Sequence, residues 1–506
     1  MSRSPLFATK SVDKLRADAE VDHGLKRTLG PFDLVMLGIG AIIGAGLFVR
    51  TAAAAANNAG PSVTIGFIVA SVGSAFAGLC YAELASMIPI AGSAYTYTYA
   101  TMGELIAWII GWDLVLEYAI GAATVGIAWS EYLNKLLEYF GVSIPYAWCH
   151  SPFEKLVDAS GVVTAHGIIN APALFIVGVL TLLLIRGIQE SAFVNGLIVI
   201  TKVAIVILFI ALGWGFINPA NHVPYIPAAT TFVDGHGIAH NYGGLLGILG
   251  AGGVVFFAFI GFDAVSTAAQ ESKNPKRDMP IGILGSLAIC TVLYILFAHV
   301  LTGVASVQDF RTQGKEASVV YAITTYMHGY GWLGKFVTVA ILAGFSSVIL
   351  VMLLGQSRVF LTLSTDGLMP PVFSKIHPRY GTPYKTNLIF LAFVGAFAAF
   401  VPGEIVGDMT SIGTLFAFIL VCVGVWILRV KRPDLPRSFR VPFVPLFPIL
   451  GIITCAAMIF GLGVTNWLRL GVWLVIGLVI YAAYGRRHSK LRAAAAQETT
   501  PRPPGQ

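Results

Sequence analysis

PFDLVMLGIGAIIGAGLFVR, residues 31–50, is charged only at Asp33 and Arg50 and is long and apolar enough to cross a bilayer as a helix. Its centre is poor helix material. Gly38, Gly40, Gly44 and Gly46 crowd it, and each glycine costs about 1 kcal/mol against alanine in a helix interior. Two readings fit. Gly40-x3-Gly44 is a small-xxx-small pattern that lets a neighbouring helix approach. Alternatively the helix is interrupted at mid-depth, which lipid tolerates only where the released backbone groups face protein or a wet cavity. Such a break offers bare N–H groups from one half-helix and bare C=O groups from the other. The segment alone leaves both open.

A second segment tips the balance. GGLLGILGAGGVVFFAFIGFDAVSTAAQE, residues 243–271, is loosened by Gly247, Gly250, Gly252, Gly253 and Gly261, and Asp263 puts a carboxylate inside the bilayer. The two segments are spans one and six of a series. The further spans fall near 62–88, 95–130, 171–185, 194–217, 281–304, 331–362, 387–402, 408–428, 446–464 and 468–484. The expected fold is therefore an all-α polytopic membrane protein of about twelve transmembrane helices. Spans one to five (31–217) and six to ten (244–428) form two groups of five, with two extra helices at 446–484. An odd number per group makes the second insert upside down relative to the first. Inverted repeats with paired broken helices at mid-membrane are the architecture of many secondary transporters.

Composition agrees. The chain has 506 residues, 56% hydrophobic and 11% charged, where a soluble protein carries about 25% charge; the mean hydropathy is +0.79. The net charge of +7 does not point to nucleic acid, because most basic residues sit at span ends, where topology and lipid head groups explain them. If the N-terminus is cytoplasmic, the cytoplasmic connections hold Arg186, Lys273, Lys276, Arg277, Lys375, Arg379, Lys385, Arg429, Lys431, Arg432, Arg437 and Arg440, with Arg486, Arg487, Lys490 and Arg492 in the tail. The other side holds little beyond Lys135, Lys155, Arg311, Lys315, Lys335 and Arg469. That asymmetry predicts a multi-pass protein of the cell (inner or plasma) membrane with both termini cytoplasmic. Residues 1–29 read as a cytoplasmic segment without a removable signal peptide, 30–485 as the transporter domain, and 486–506 as a disordered cytoplasmic tail. The five cysteines lack metal-ligand spacing. No GxxxxGK[ST] appears, so no nucleotide hydrolysis is expected, and the energy would come from an ion gradient.

IGAIIGAGLF at 39–48, GSAYTYTYATMGELIAWIIGWDLVLEY at 92–118, FFAFIGFDAVSTAAQESKNPKRDMPIGI at 256–283, TLFAFILVCVGVWILR at 414–429 and FRVPFVPLFPILG at 439–451 resemble the amino acid permeases of the APC superfamily, closest to the cationic amino acid transporters and their bacterial homologues. The resemblance runs from about Leu25 to Tyr484. It implies a LeuT-like fold and sodium-independent, often proton-coupled, uptake of amino acids. No enzyme activity, metal or cofactor is expected; the partners are a free amino acid, protons and the bilayer. Whether a small membrane subunit accompanies the chain is left open.

An amino acid needs donors for its carboxylate and acceptors for its ammonium a few ångströms apart. The backbone N–H groups of Gly44, Ala45 and Gly46 would meet the carboxylate with a favourable helix dipole. The carbonyls of Ile42, Phe257, Ala258 and Ile260 would accept from the ammonium, and the resemblance places the substrate there too. Relatives usually carry a small hydroxyl at one position of the first break, where this chain has Ala45.

Lys202 sits in mid-span, where a charge costs at least about 2.5 kcal/mol. In sodium-coupled relatives this region of span five lies beside a cation site formed by spans one and eight. The resemblance thus implies an ammonium in place of the metal, bonded to span-one carbonyls and to Ser346 or Ser347. Glu117 and Asp263 read as gate, proton relay or partner for a cationic substrate group, and Asp113, one turn before Glu117, as structural. Tyr95, Tyr97 and Tyr99 read as an interfacial aromatic cluster. Phe256, Phe257 and Phe259 straddle the second break and are placed to close over a substrate. His299 reads as a packed boundary histidine. Arg50 stands where relatives have an apolar residue; snorkelling to head groups is the preferred reading, a vestibule cation the other. Thr365, where relatives often carry Arg, argues against an inner ionic gate beside Asp366.

Overall fold

The structure is a computed structural model that describes residues 5–12, 15, 27–88, 90, 92–157, 162–187, 192–233, 239–312 and 318–493. Most of the segment 1–29, and the tail beyond 493 expected to be disordered, lie outside the described residues, as do Asp158 and Lys315.

Among the described residues, eight helices are long and apolar enough to cross a membrane, and Pro31–Ile42, Ala171–Ile185, Tyr384–Phe400 and Leu446–Gly461 are shorter apolar helices. The chain is a polytopic membrane protein. Keeping the numbering of the sequence, span one begins with Pro31–Ile42 and continues through Gly46–Arg50, Thr51–Ala54 and Ala55–Ala59. Span two is Val63–Met87, and span three runs from Glu104 to Glu138. Spans four and five are Ala171–Ile185 and Ala192–Gly213. Span six starts with Gly244–Val255 and ends with Ala264–Thr267. Spans seven to ten are Pro275–Val304, Gly331–Thr365, Tyr384–Phe400 and Gly403–Lys431. Leu446–Gly461 and Val464–Ile480 complete the series.

Local chemistry sets several starts. Pro31 opens span one without needing an N–H partner, while Asp33 Oδ2 accepts from Gly30 N at 2.8 Å. Asn170 Oδ1 accepts from Ala173 N at 3.2 Å and caps span four. Two antiparallel strand pairs, Lys155–Val157 with Val163–His166 and Thr230–Val233 with Ala239–Tyr242, decorate the loops, so the chain is mostly rather than purely helical.

Span three differs from its expected bounds of 95–130. A separate helix, Ser93–Thr101, comes first, and Gly103 turns the chain at φ +101° before Glu104 starts the spanning helix. A Cβ at Gly103 would lie 2.6–2.7 Å from the backbone of Phe7, so the turn also leaves room for the N-terminal segment to pass. Hydropathy registers the apolar run on both sides and is blind to this bend.

Burial separates centre from rim. The most apolar window of span six is 83% buried and that of span three 78%, against 33% for span five and 22% for the last helix. Spans three and six, with span one from Gly38 onward, thus sit inside a jacket of other helices, and the outer helices present apolar side chains such as Phe175, Leu197 and Val475 outward. Both ends of the described chain meet on one face: Lys10 Nζ reaches the Asp366 carboxylate at 2.6 Å, and Lys490 N donates to Asp366 O at 3.1 Å. That side is the terminal face below.

Candidate functional site

The two glycine-rich segments cross where each loses its helix. Pro31–Ile42 stops at Ile43, whose φ/ψ of −73°/102° is extended. Helical turns then resume, with Gly44 O accepting from Leu47 N at 3.2 Å and Phe48 N at 3.4 Å. Ala45 and Gly46 therefore occupy the first turn of the second half, where N–H groups have no preceding turn to bond. In span six, Phe256–Phe259 tightens to a 3-10 turn, Ile260 is extended at −61°/137°, and Gly261 takes φ +113°.

The contact between the two is backbone on backbone. A Cβ at Gly46 would fall onto the backbone of Ala258, and one at Gly261 would lie 2.9–3.0 Å from Ala41. Gly46 thus serves the crossing as well as any ligand approach, a packing role of the kind the small-residue reading describes. Gly40, Ile42, Gly44, Ala45, Gly46, Phe257, Ala258 and Ile260 are all buried here.

Neighbouring spans claim the carbonyls of the first break. Lys202 Nζ, on span five, donates to Gly40 O at 2.8 Å and to Ile43 O at 3.0 Å, and the side chain is 1% exposed. Tyr294 Oη, on span seven, donates to Ile42 O at 3.0 Å. Tyr294 escaped the sequence reading; the available signal was a tyrosine in mid-span, whose hydroxyl must find an acceptor once buried. Ser346 bonds back to Leu342 O at 2.9 Å within span eight, while Ser347 Oγ reaches Asn195 Oδ1 at 3.5 Å. In the second break, Ile260 N donates to Phe257 O at 3.3 Å.

The buried acids form a separate centre. Asp263 Oδ2 accepts from Tyr118 Oη at 2.5 Å and from Ser93 Oγ at 3.3 Å. Glu117 lies close enough to Asp263 to interact with it electrostatically. Asp263 Oδ1 and both carboxyl oxygens of Glu117 and of Asp113 are buried without a hydrogen-bond partner among the described residues. Groups left so in an apolar interior are costly and call for an explanation such as bound water or a held proton. Tyr118 joins this centre although the sequence reading passed over it.

Three surrounding expectations change. Arg50 does not snorkel: it is buried, ion-paired to Asp408 of span ten, and Asp408 Oδ2 also accepts from Asn466 Nδ2 at 3.2 Å. Tyr95, Tyr97 and Tyr99 are buried inside the protein and are not a cluster on its outer surface. Tyr95 donates to Asp366 Oδ2 at 2.6 Å and Tyr99 to Glu104 Oε2 at 3.0 Å. An ion pair does form at Asp366, but Lys10 supplies its cation. His299 lies 4.6 Å from His222 with the two rings tilted by 38°, and Phe259 packs edge-on against Tyr294 at 5.3 Å.

A cavity lies on each side of the crossing. One of about 310 Å³, away from the termini, is lined by Ala45, Arg50, Thr124, Glu131, Arg311 and Glu404. The other, about 440 Å³ on the terminal face, is lined by Leu29, Met36, Asn195, Ala264, Leu350 and Arg358.

Known proteins resemble this chain over its length. A family model described as amino acid permease matches residues 29–482. A branched-chain amino acid permease of Bacillus subtilis is 42% identical, over 97% of this chain and 99% of the relative. A methylthioribose transporter of the same organism is 38% identical, over 96% and 99%. A chloroplastic cationic amino acid transporter of Arabidopsis thaliana is 36% identical, over 87% and 73%. With a membrane-spanning helical fold and a match along nearly its whole length, the chain belongs to the amino acid permease family of the APC superfamily.

Proposed function

We propose that the chain is a secondary active transporter of L-amino acids, proton-coupled and sodium-independent. It works as a LeuT-like 5+5 inverted repeat with two extra helices and cytoplasmic termini, in the plasma membrane. The observation that carries the reading is the Lys202 ammonium, 2.8 and 3.0 Å from the Gly40 and Ile43 carbonyls at the first break. A fixed cation there does what a bound metal ion would do, and it can lose its charge by losing a proton.

The substrate carboxylate lies on the first-turn N–H groups of Ala45 and Gly46, with Gly44 beside them, and the ammonium on the carbonyls of Ala258 and Ile260. The carbonyls of Ile42 and Phe257 already have one donor each and contribute a remaining lone pair. Neutral aliphatic amino acids are the favoured class. The 42% identical relative is a branched-chain amino acid permease. The proton leaves Lys202 toward the terminal-face cavity, which Asn195 lines two turns before the lysine. Glu117 and Asp263 gate the opposite movement of span three against span six.

A second reading comes from the 38% identical methylthioribose transporter, whose named substrate offers neither the carboxylate nor the ammonium. A proton-independent exchanger and a non-transporting sensor are the remaining alternatives. One reconstitution separates them. Purified protein in sodium-free liposomes with an inward proton gradient is expected to accumulate radiolabelled leucine, and counterflow to persist without the gradient. Counterflow alone would indicate an exchanger, binding without flux a sensor, and uptake of methylthioribose in place of leucine the second reading.

A further inference from the structure

We infer that Gly344, in the middle of span eight, is the positioning residue for Lys202: its missing side chain is the slot through which the lysine stem reaches span one. This deepens, and rests on, the reading of Lys202 as the proton-coupling group. The lysine starts on span five and its ammonium ends on span one, so the stem must cross between the two. It crosses over Gly344. A Cβ built there would lie 2.5 Å from Lys202 Cε and 3.2 Å from both Cδ and Cγ, and these three lysine carbons are its three nearest neighbours. Real Cβ atoms do not approach carbon so closely; about 1 Å of displacement restores an ordinary contact near 3.5 Å.

The consequence is specific to the ammonium. Its bonds to Gly40 O and Ile43 O are 2.8 and 3.0 Å, and a shift of about 1 Å takes both past hydrogen-bonding distance. The atoms a methyl group would strike are the flexible end of a side chain, not backbone. This contrasts with Gly46, where a methyl group meets the Ala258 backbone. Alanine at 344 therefore displaces the charge while sparing the helices. Span one presents carbonyl oxygens to the ammonium, and from span seven the thiol of Cys290 interacts with it electrostatically. No residue type other than glycine keeps the slot open.

The test compares Gly344→Ala, Lys202→Ala, the double variant, and Gly334→Ala as a control on the same helix, where a Cβ meets Thr324 at 3.2 Å and not the lysine. Each is reconstituted and assayed for proton-gradient-driven leucine accumulation, for counterflow, and for the pH profile of leucine binding. Gly344→Ala is expected to lose at least tenfold of gradient-driven accumulation while counterflow stays within about threefold, and its binding profile is expected to flatten as that of Lys202→Ala does. The double variant should match Lys202→Ala, and Gly334→Ala the unmodified protein. Coupled uptake by Gly344→Ala alongside a decoupled Lys202→Ala overturns the role of Gly344 and leaves that of Lys202 standing. Coupled uptake by Lys202→Ala overturns both. If Gly344→Ala does not fold, the double variant decides: recovery of the fold on removing the lysine supports the slot, and continued misfolding assigns Gly344 to helix packing and overturns it.

Discussion

Spans one and six are both interrupted at the same level, yet they are held in opposite ways. The break in span one is clamped from outside, by Lys202 on Gly40 O and Ile43 O and by Tyr294 on Ile42 O. The break in span six closes on its own backbone: Ile260 N returns to Phe257 O and Gly261 supplies the left-handed turn, while the Asp263 carboxylate beyond it is held by Tyr118 of span three. On the proposed reading, the difference assigns the response to Lys202 deprotonation to the span-one half of the crossing. A clamp made of an ammonium disappears when its charge does, whereas a clamp made of backbone geometry does not. In the proposed cycle span one is the element released, and span six the surface against which it moves.

Removing the charge of the clamp should have the largest effect. Lys202→Ala is expected to abolish uphill, gradient-driven uptake, a loss of well over tenfold, while the detergent-solubilised variant keeps measurable but weaker leucine binding. Uptake and binding assays on the same preparation check this. If accumulation still follows the proton gradient, the charge that matters lies with Glu117 and Asp263, and the contrast between the spans reverses.

Gly261→Ala attacks the other member of the pair. It forces a Cβ into a φ of +113° and to within 2.9–3.0 Å of Ala41, and strain of this kind costs about 1–3 kcal/mol. The expected outcome is a lower thermal unfolding midpoint and weaker binding at every pH, with no change in the shape of the pH profile. A shifted profile would mean that span six, too, carries the proton response.

How much of this was legible in the sequence follows from the range of the forces involved. The glycine clusters in 31–50 and 243–271 announce two loosened helices because helix propensity is local. The depth of Lys202 announces a need for oxygen partners, because a buried charge must find them. What the sequence did not yield is pairing across the bundle. Arg50 finds Asp408, Lys10 finds Asp366, and Arg429 and Arg437 both close on Glu83, at separations of about 350 residues. Hydropathy fixes depth and says nothing about which depth-matched groups face each other. The bend at Gly103 was hidden for the same reason, since the Phe7 backbone that packs against it is remote in the chain. Likewise the tyrosines at 95, 97 and 99 looked interfacial by composition, and their acidic partners Asp366 and Glu104 draw two of them inward.

A ligand-side probe sharpens the comparison from within the site. If the carboxylate sits on the first turn of the second half of span one, the neutral amide of leucine forfeits its attraction to that helix end, about 0.3–2 kcal/mol. Leucinamide should then bind roughly 2- to 30-fold more weakly than leucine in competition assays. Equal affinity would remove the substrate from the Gly44–Gly46 turn.

The smallest expected effect comes from the uncharged half of the clamp. Tyr294→Phe deletes one hydrogen bond, to Ile42 O at 3.0 Å, and leaves the ring to pack against Phe259 at 5.3 Å and Phe67 at 5.6 Å. A neutral bond of this sort contributes about 0.5–1.5 kcal/mol net, although a carbonyl left bare in an apolar interior costs somewhat more. The released Ile42 carbonyl lies at the proposed ammonium position, so a bound substrate repairs part of the loss. Binding should therefore change by less than about threefold, while the unliganded protein unfolds at a slightly lower temperature, with the gap closing when leucine is added. Because a tyrosine hydroxyl carries no charge at neutral pH, gradient-driven accumulation should persist. Thermal unfolding with and without leucine, beside uptake, checks all three outcomes. If Tyr294→Phe instead decoupled uptake as thoroughly as Lys202→Ala, the clamp would act through its geometry alone, and the charge of the lysine would no longer distinguish span one from span six.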